Sequence, residues 1–174
     1  MEIVADILKI TLPAAIVLYA MYVTVTAFIR KGLTEKKLEA QRLNIQTVLP
    51  IRLQAYERMC LFLERINPNN LIMRLSGTAT SAIELQKILL QELREEFNHN
   101  LSQQVYMSHD AWERVRAAQQ EVITLINQAA ANIKADDAPI ELSKKIFEKV
   151  VQENLNPTAD ALQFIKAEIQ REFM

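Results

Sequence analysis

The chain has 174 residues, 20 basic and 21 acidic side chains and a formal charge of −1, with half of its residues hydrophobic. Near-neutrality argues against general attraction to nucleic-acid backbones, and the single cysteine, Cys60, excludes an internal disulfide. Only Gly32 and Gly77 and five prolines interrupt an abundance of Leu, Ile, Ala, Glu, Gln, Lys and Arg. This composition argues against a turn-rich β architecture and predicts an all-α fold.

From Ile10 to Ile29 the sequence carries no charge, and Arg30 and Lys31 follow at once. A helix of about twenty residues rises roughly 30 Å, the hydrocarbon thickness of a bilayer. Residues 1–30 are therefore expected to form a single transmembrane anchor. A cleaved signal peptide would begin with basic residues, whereas Glu2 and Asp6 precede this apolar run. A buried core helix would ordinarily be shorter and lack a basic cluster at one end. Because Lys and Arg gather on the cytoplasmic side of a span, the N-terminus is expected outside and the following domain inside, at the inner membrane if the source is bacterial. Tyr19 and Tyr22 near mid-span, with Ala20 and Thr24 at small-xxx-small spacing, suggest helix association in the bilayer. Pro13 is expected in the first helical turn, where its missing N–H costs little.

Residues 31–48 are polar and helix-prone, with Leu33, Leu38, Leu43 and Ile45 too sparse to define a buried face; they predict a basic juxtamembrane stalk helix. Arg30, Lys31, Lys36, Lys37 and Arg42 against Glu35 and Glu39 give this neighbourhood a net charge of +3. Pro50 is expected to kink or restart the helix. Residues 49–174 are then expected to form a bundle of about five amphipathic helices. Leu49, Leu53, Tyr56, Cys60 and Leu63 are spaced 4, 3, 4 and 3 apart, a heptad-like seam broadened by Met59, Phe62 and Ile66. Asn67, Pro68, Asn69 and Asn70 predict a turn.

After an undefined piece from Leu71 to Leu75, Ser81 and Glu84 form a capping box for a helix buried through Leu85, Leu89, Leu93 and Phe97. Asn98, His99 and Asn100 are expected to end it, with a loop through Gln103, Gln104, Val105 and Tyr106. Ser108, or else Asp110 with Glu113, should cap a long helix carrying Trp112, Val115, Val122, Leu125, Ala129 and Ile133 on one face and ending near Lys134. Asp136, Asp137 and Pro139 mark the next start. Leu142, Ile146, Phe147, Val150 and Val151 are expected inside that helix. Asn154, Asn156 and Pro157 form the last turn, and Thr158 opens a terminal helix packing through Leu162, Ile165, Ile169 and Phe173.

The runs LQAYERMCLFLERINPNN (Leu53 to Asn70) and EFNHNLSQQVYMSHDAWERV (Glu96 to Val115) resemble an uncharacterised Bacteroidota family of short, N-terminally membrane-anchored helical proteins. The resemblance covers nearly the whole chain, including the anchor, and implies a bacterial inner-membrane setting. It supplies no activity and no functional residues.

The richest chemical cluster flanks one predicted loop: Glu92, Glu95, Glu96 and His99 before it, His109, Asp110 and Glu113 after it. Glu96 and His99 have the i,i+3 spacing of di-iron carboxylate bundles, but the chain offers no second Glu-x-x-His. A small membrane-bound metalloprotein using Glu96, His99, His109 and Glu113 is the alternative expectation; a solvated polar corner is preferred. Cys60, on an apolar stripe, is not placed for nucleophilic catalysis, and Gly77 is not followed by a phosphate-loop lysine. Arg52, Arg58, Arg65 and Arg74 are interrupted by Glu57 and Glu64, and Trp112 and Tyr56 fall on core stripes, so they do not make a stacking platform with Tyr106.

The resulting expectation is a non-catalytic, membrane-tethered helical scaffold or interaction module with no cofactor, no nucleic acid and no identified small-molecule substrate. Its partners are the lipid bilayer and either a second protein or another copy of itself. Leu49, Leu53, Tyr56 and Leu63 would provide the soluble contact, unless that seam is spent on packing within its own domain, and Tyr19, Tyr22, Ala20 and Thr24 the contact within the membrane, unless the tyrosine hydroxyls are satisfied on their own helix or tolerated singly.

Overall fold

The computed structural model describes the backbone of residues 2–173; the side chains of residues 1–14, 40, 41, 44, 45 and 172–174 lie outside the described set. The chain is all-α, with no strand among the described residues. Its helices are α1 (Glu2–Ile66), α2 (Pro68–Leu75), α3 (Ala82–Asn100), α4 (His109–Ala130), α5 (Pro139–Gln152) and α6 (Ala159–Phe173). Short 3-10 helices occupy Ser76–Thr78 and Leu101–Tyr106. The chain divides into two compact units, Met1–Val48 and Leu49–Met174.

The first unit is helical throughout, and α1 passes both prolines without interruption. Starting at Glu2, it places Pro13 inside the helix rather than in its first turn. Pro50, expected to restart the helix, does not; Gln46, whose carbonyl loses its helical partner there, is in an exposed stretch where water can replace that bond. Threonines close their own hydrogen bonds along this segment. The Thr24 hydroxyl donates to the Ala20 carbonyl at 2.8 Å, Thr26 to Tyr22 at 2.8 Å and Thr34 to Arg30 at 2.9 Å. These side chains thereby satisfy their hydroxyl donors on the backbone of their own helix.

In the second unit the heptad-like stripe is spent on the interior. Ala55, Tyr56, Met59, Phe62, Leu63 and Ile66 are all essentially inaccessible and join Leu85, Leu89 and Leu93 of α3 and Val115, Val122 and Ile126 of α4 in one core. An aromatic column crosses three helices: Phe62 and Phe97 lie with ring centroids 5.9 Å apart, and Phe97 stacks on Trp112 at 5.5 Å. α3, α4 and α5 pack against one another, and α6 packs on α4. There Arg114 lies 4.4 Å over the Phe164 ring and pairs with Asp160.

The predicted punctuation is partly redrawn. Asn67 and Pro68 start a helix rather than a turn: the Asn67 side chain accepts from the Asn69 N–H at 3.1 Å, and Pro68 takes the first helical position, where no N–H is needed. Ser81 accepts from the Glu84 N–H at 3.3 Å, as expected of a capping box. The Glu84 carboxylate reaches one residue further back, taking the Thr80 N–H at 2.7 Å and the Thr80 hydroxyl at 2.6 Å. The expected loop before Ser108 is the 3-10 helix Leu101–Tyr106, and Ser108, rather than Asp110, caps α4 by accepting from Ala111 at 3.1 Å. α4 ends at Ala130, short of Lys134, because the turn beyond it is used elsewhere. Asp137 accepts from Lys134 N–H at 2.9 Å, and the Asp137 carbonyl takes the Ala82 N–H, tying this turn to the start of α3.

Pro139 opens α5 as expected. Its end is a Schellman closure: Leu155 N–H bonds to Val150 at 2.9 Å and Asn154 N–H to Val151 at 3.3 Å, with Asn154 left-handed at φ 48°. Val151, expected inside, is 78% exposed because it falls on the outer side of this last turn. On α6, Ile165 is buried and Leu162 and Ile169 are half-buried, while Phe173 lies outside the described side chains.

Candidate functional site

Within the first unit, residues Ala15–Glu39 are long and apolar enough to cross a membrane, and none of the segment is buried by protein. Ile10 to Pro13 of the expected span, and Ala14, lie outside the described side chains. Tyr19 and Tyr22 are 71% and 67% exposed, and Ala20 is exposed beside them. Thr24 uses its hydroxyl on the backbone of its own helix, so it brings surface rather than a spare donor to any neighbouring helix.

Of the seam residues, the structure separates two pairs. Tyr56 and Leu63 are fully buried in the core of the second unit, whereas Leu49 is half-buried and Leu53 is 38% exposed. Tyr56 and Leu63 thus serve the interior of their own domain, and only Leu49 and Leu53 retain surface. Tyr56 and Leu63 belong, with Met59 and Ile66, to the same hydrophobic core cluster.

The glutamate and histidine cluster is dispersed rather than convergent. Glu96 pairs with Arg65 and lies 3.8 Å from Arg74, while Glu92 lies 2.8 Å from Arg74 and 3.8 Å from Arg65. Two arginines from α1 and α2 therefore bracket two carboxylates one turn apart on α3. His99 places Nδ1 2.9 Å from the Glu95 carbonyl of its own helix. Glu113 pairs with Arg116 at 2.9 Å, and His109 and Asp110 are exposed at the start of α4. Among the described residues no group of three or more His, Cys, Asp or Glu is arranged to hold a metal ion. Each partly exposed ion pair is worth about 1 kcal/mol or less, so the arrangement pins α1, α2 and α3 together modestly.

Sequence reasoning did not anticipate Glu168, which is only 2% exposed on α6. The Tyr56 phenol lies beside this carboxylate and near Arg52 and the Ser108 backbone. Burial, followed by Glu168, pushes the Tyr56 hydroxyl above its ordinary pKa. The carboxylate makes no hydrogen bond of good geometry among the described residues despite that proximity. Its spacing from Ala161 and Ile165, 4 then 3, was the available signal that position 168 faces inward. Arg52 donates from Nε to the Tyr106 carbonyl at 3.1 Å, fastening the 3-10 helix to α1. Cys60 is half-buried, and desolvation raises its thiol pKa, with Lys166 opposing and Glu64 and Glu57 reinforcing. That is the opposite of an activated nucleophile.

Open grooves are found among the described residues. One of about 560 Å³ lies between the end of α1 and α6, lined by Glu64, Asn67, Gln163, Lys166 and Gln170 among others. Another of about 540 Å³ runs along α4 beside Gln120, Thr124, Gln128 and Leu155.

These features define a class: an all-helical unit with a closed core, on a chain that also carries a helical segment of membrane-spanning length and polarity. The chain belongs to a family of unknown function, DUF7935, whose model matches residues 2–172. No curated protein and no solved structure matches it.

Proposed function

We propose that the protein is a membrane-tethered, non-catalytic interaction module. α1 crosses the bilayer with its early residues outside, and the helical unit is held at the cytoplasmic face, at the inner membrane of a bacterium. The observation that carries this reading is the helical segment within Ala15–Glu39, whose most apolar stretch is long enough to span and is not buried by the described residues. An apolar surface of that extent is costly in water and is relieved by lipid. The basic residues that follow Ile29 supply the direction, because translocating them is disfavoured.

The binding role follows from how the second unit uses its polar groups. Glu92 and Glu96 are engaged with arginines, Glu113 with Arg116 and His99 with a backbone carbonyl, and Cys60 is partly desolvated. Self-association or partner binding then falls to Tyr19, Tyr22, Ala20 and Thr24 within the bilayer, and to Leu49 and Leu53 beyond it.

Crosslinking in intact membranes, followed by identification of the products, tests the binding role. The expected result is a discrete crosslinked species containing this chain; a chain that stays strictly monomeric with no captured partner counts against it. A reporter fused after Met174 that is active only in the cytoplasm tests direction. Activity from a reporter that works only outside the cytoplasm would reverse it.

A further inference from the structure

We propose that Arg30, Lys36 and Lys37 form a basic collar around α1 that binds the phosphates of anionic lipid headgroups; this deepens the membrane reading above and rests on it. Arg30, Lys31, Lys36, Lys37 and Arg42 are all exposed, and among the described residues none of them takes part in an ion pair. Their charges are therefore available, but they are not equivalent.

Helix geometry sorts them. Residues three or four apart are neighbours on a helix surface. Lys31, Glu35, Glu39 and Arg42 follow one another at those intervals, forming a stripe of balanced charge on one side of α1. Arg30 and Lys37 are seven apart, which puts them on one face, and neither has an acidic residue three or four positions away. Lys36 lies about 100° round the helix from Lys37, off the face that Arg30 and Lys37 share, and its sole acidic neighbour three or four positions away, Glu39, is shared with Arg42. The net positive charge of the segment is thus concentrated on Arg30, Lys36 and Lys37.

Depth sets Arg42 apart, while Lys31, although close to the membrane, is balanced by Glu35 on its own stripe. With Ile29 at the hydrocarbon edge, a rise of 1.5 Å per residue puts Arg30 in the headgroup layer, Lys37 about 12 Å from the edge and Arg42 about 20 Å away. The headgroup layer is roughly 5–8 Å thick on each side, and charges are screened within about 8 Å at physiological salt. Helical side chains lean toward the helix N-terminus, which here is the membrane side, so Lys36 and Lys37 reach back toward the lipid. Arg42 remains beyond useful range. These exposed cations are spread along a helix surface, a poor arrangement for one free phosphate ion but a suitable one for a surface that presents many.

The test uses the full chain reconstituted into phosphatidylcholine vesicles with and without phosphatidylglycerol, comparing the association of spin-labelled forms of the two lipids with the protein. Each suitably placed cation favours an anionic surface by about fivefold at most. A preference for phosphatidylglycerol of about tenfold at low salt is expected after screening, declining as salt rises. The combined variant Arg30→Gln, Lys36→Gln, Lys37→Gln should lose it, whereas Lys31→Gln with Arg42→Gln should keep most of it. All five positions precede the second unit, whose circular dichroism serves as a folding control. Equal association of the two lipids in protein that has inserted overturns this proposal while leaving the anchor reading intact. Failure to insert into either vesicle overturns both. Loss of the preference on adding inorganic phosphate at constant ionic strength would identify a free-anion site instead and also overturn it.

Discussion

At the scale of single residues, Glu84 shows how a cap becomes a pH dependence. The Thr80 hydroxyl and then the Thr80 N–H hold its carboxyl below the ordinary glutamate pKa. A carboxyl depressed in the folded state contributes stability that is present above its unfolded pKa and is lost as pH falls through the lower folded value. Wild type and Glu84→Gln should therefore differ in denaturation midpoint near neutrality and converge well below about pH 4.3; a difference independent of pH would contradict the assignment. Cys60 carries the opposite shift, and its neutral thiol is favoured by burial. Maleimide labelling near neutral pH should be about tenfold or more slower in folded than in denatured protein. Asn154 supplies a third check through its left-handed backbone. Asn154→Gly should hold or improve stability, while Asn154→Val should lose about 1–2 kcal/mol in chemical denaturation, because a β-branched side chain resists positive φ.

At the scale of helices, the interior stripes carry the stability. Leu89 is fully buried, and Leu89→Ala should cost about 2–5 kcal/mol, whereas Val151→Ala, at a 78% exposed position, should stay within about 0.5 kcal/mol. Both follow from urea titration of the same preparation. A double-mutant cycle on Arg74 and Glu92 should return a coupling of about 0.5–1 kcal/mol, the range of a partly exposed pair. What the sequence made legible was local. The 4-residue recurrence of Leu85, Leu89 and Leu93, the Ser81 and Ser108 caps and Pro139 at a helix start all correspond to observed features. α2 was hidden because Asn67 and Pro68 serve equally well as turn residues and as an N-cap with its first helical residue. The bracketing of Glu92 and Glu96 by Arg65 and Arg74 joins three helices, and no periodicity reports such a pairing. Glu168 is hard to read from sequence because a carboxylate ordinarily lies at the surface, whereas its spacing from Ile165 puts it on the inner face. The candidate metal residues were close in sequence but did not converge, since Glu96, His99 and Glu113 each face a different neighbour.

At the scale of the whole molecule, two facts set the account. The second unit takes Tyr56 and Leu63 into its core, and the most apolar stretch of the first unit is exposed among the described residues. Lipid is the medium that matches such a surface in length and polarity, and attachment to a membrane is therefore the property on which direction, partner binding and headgroup preference all depend. Alkaline carbonate extraction of membranes from cells producing the full chain tests that property most directly. The account predicts that the protein stays in the membrane pellet with integral proteins and is released only by detergent; its recovery in the alkaline supernatant would contradict it.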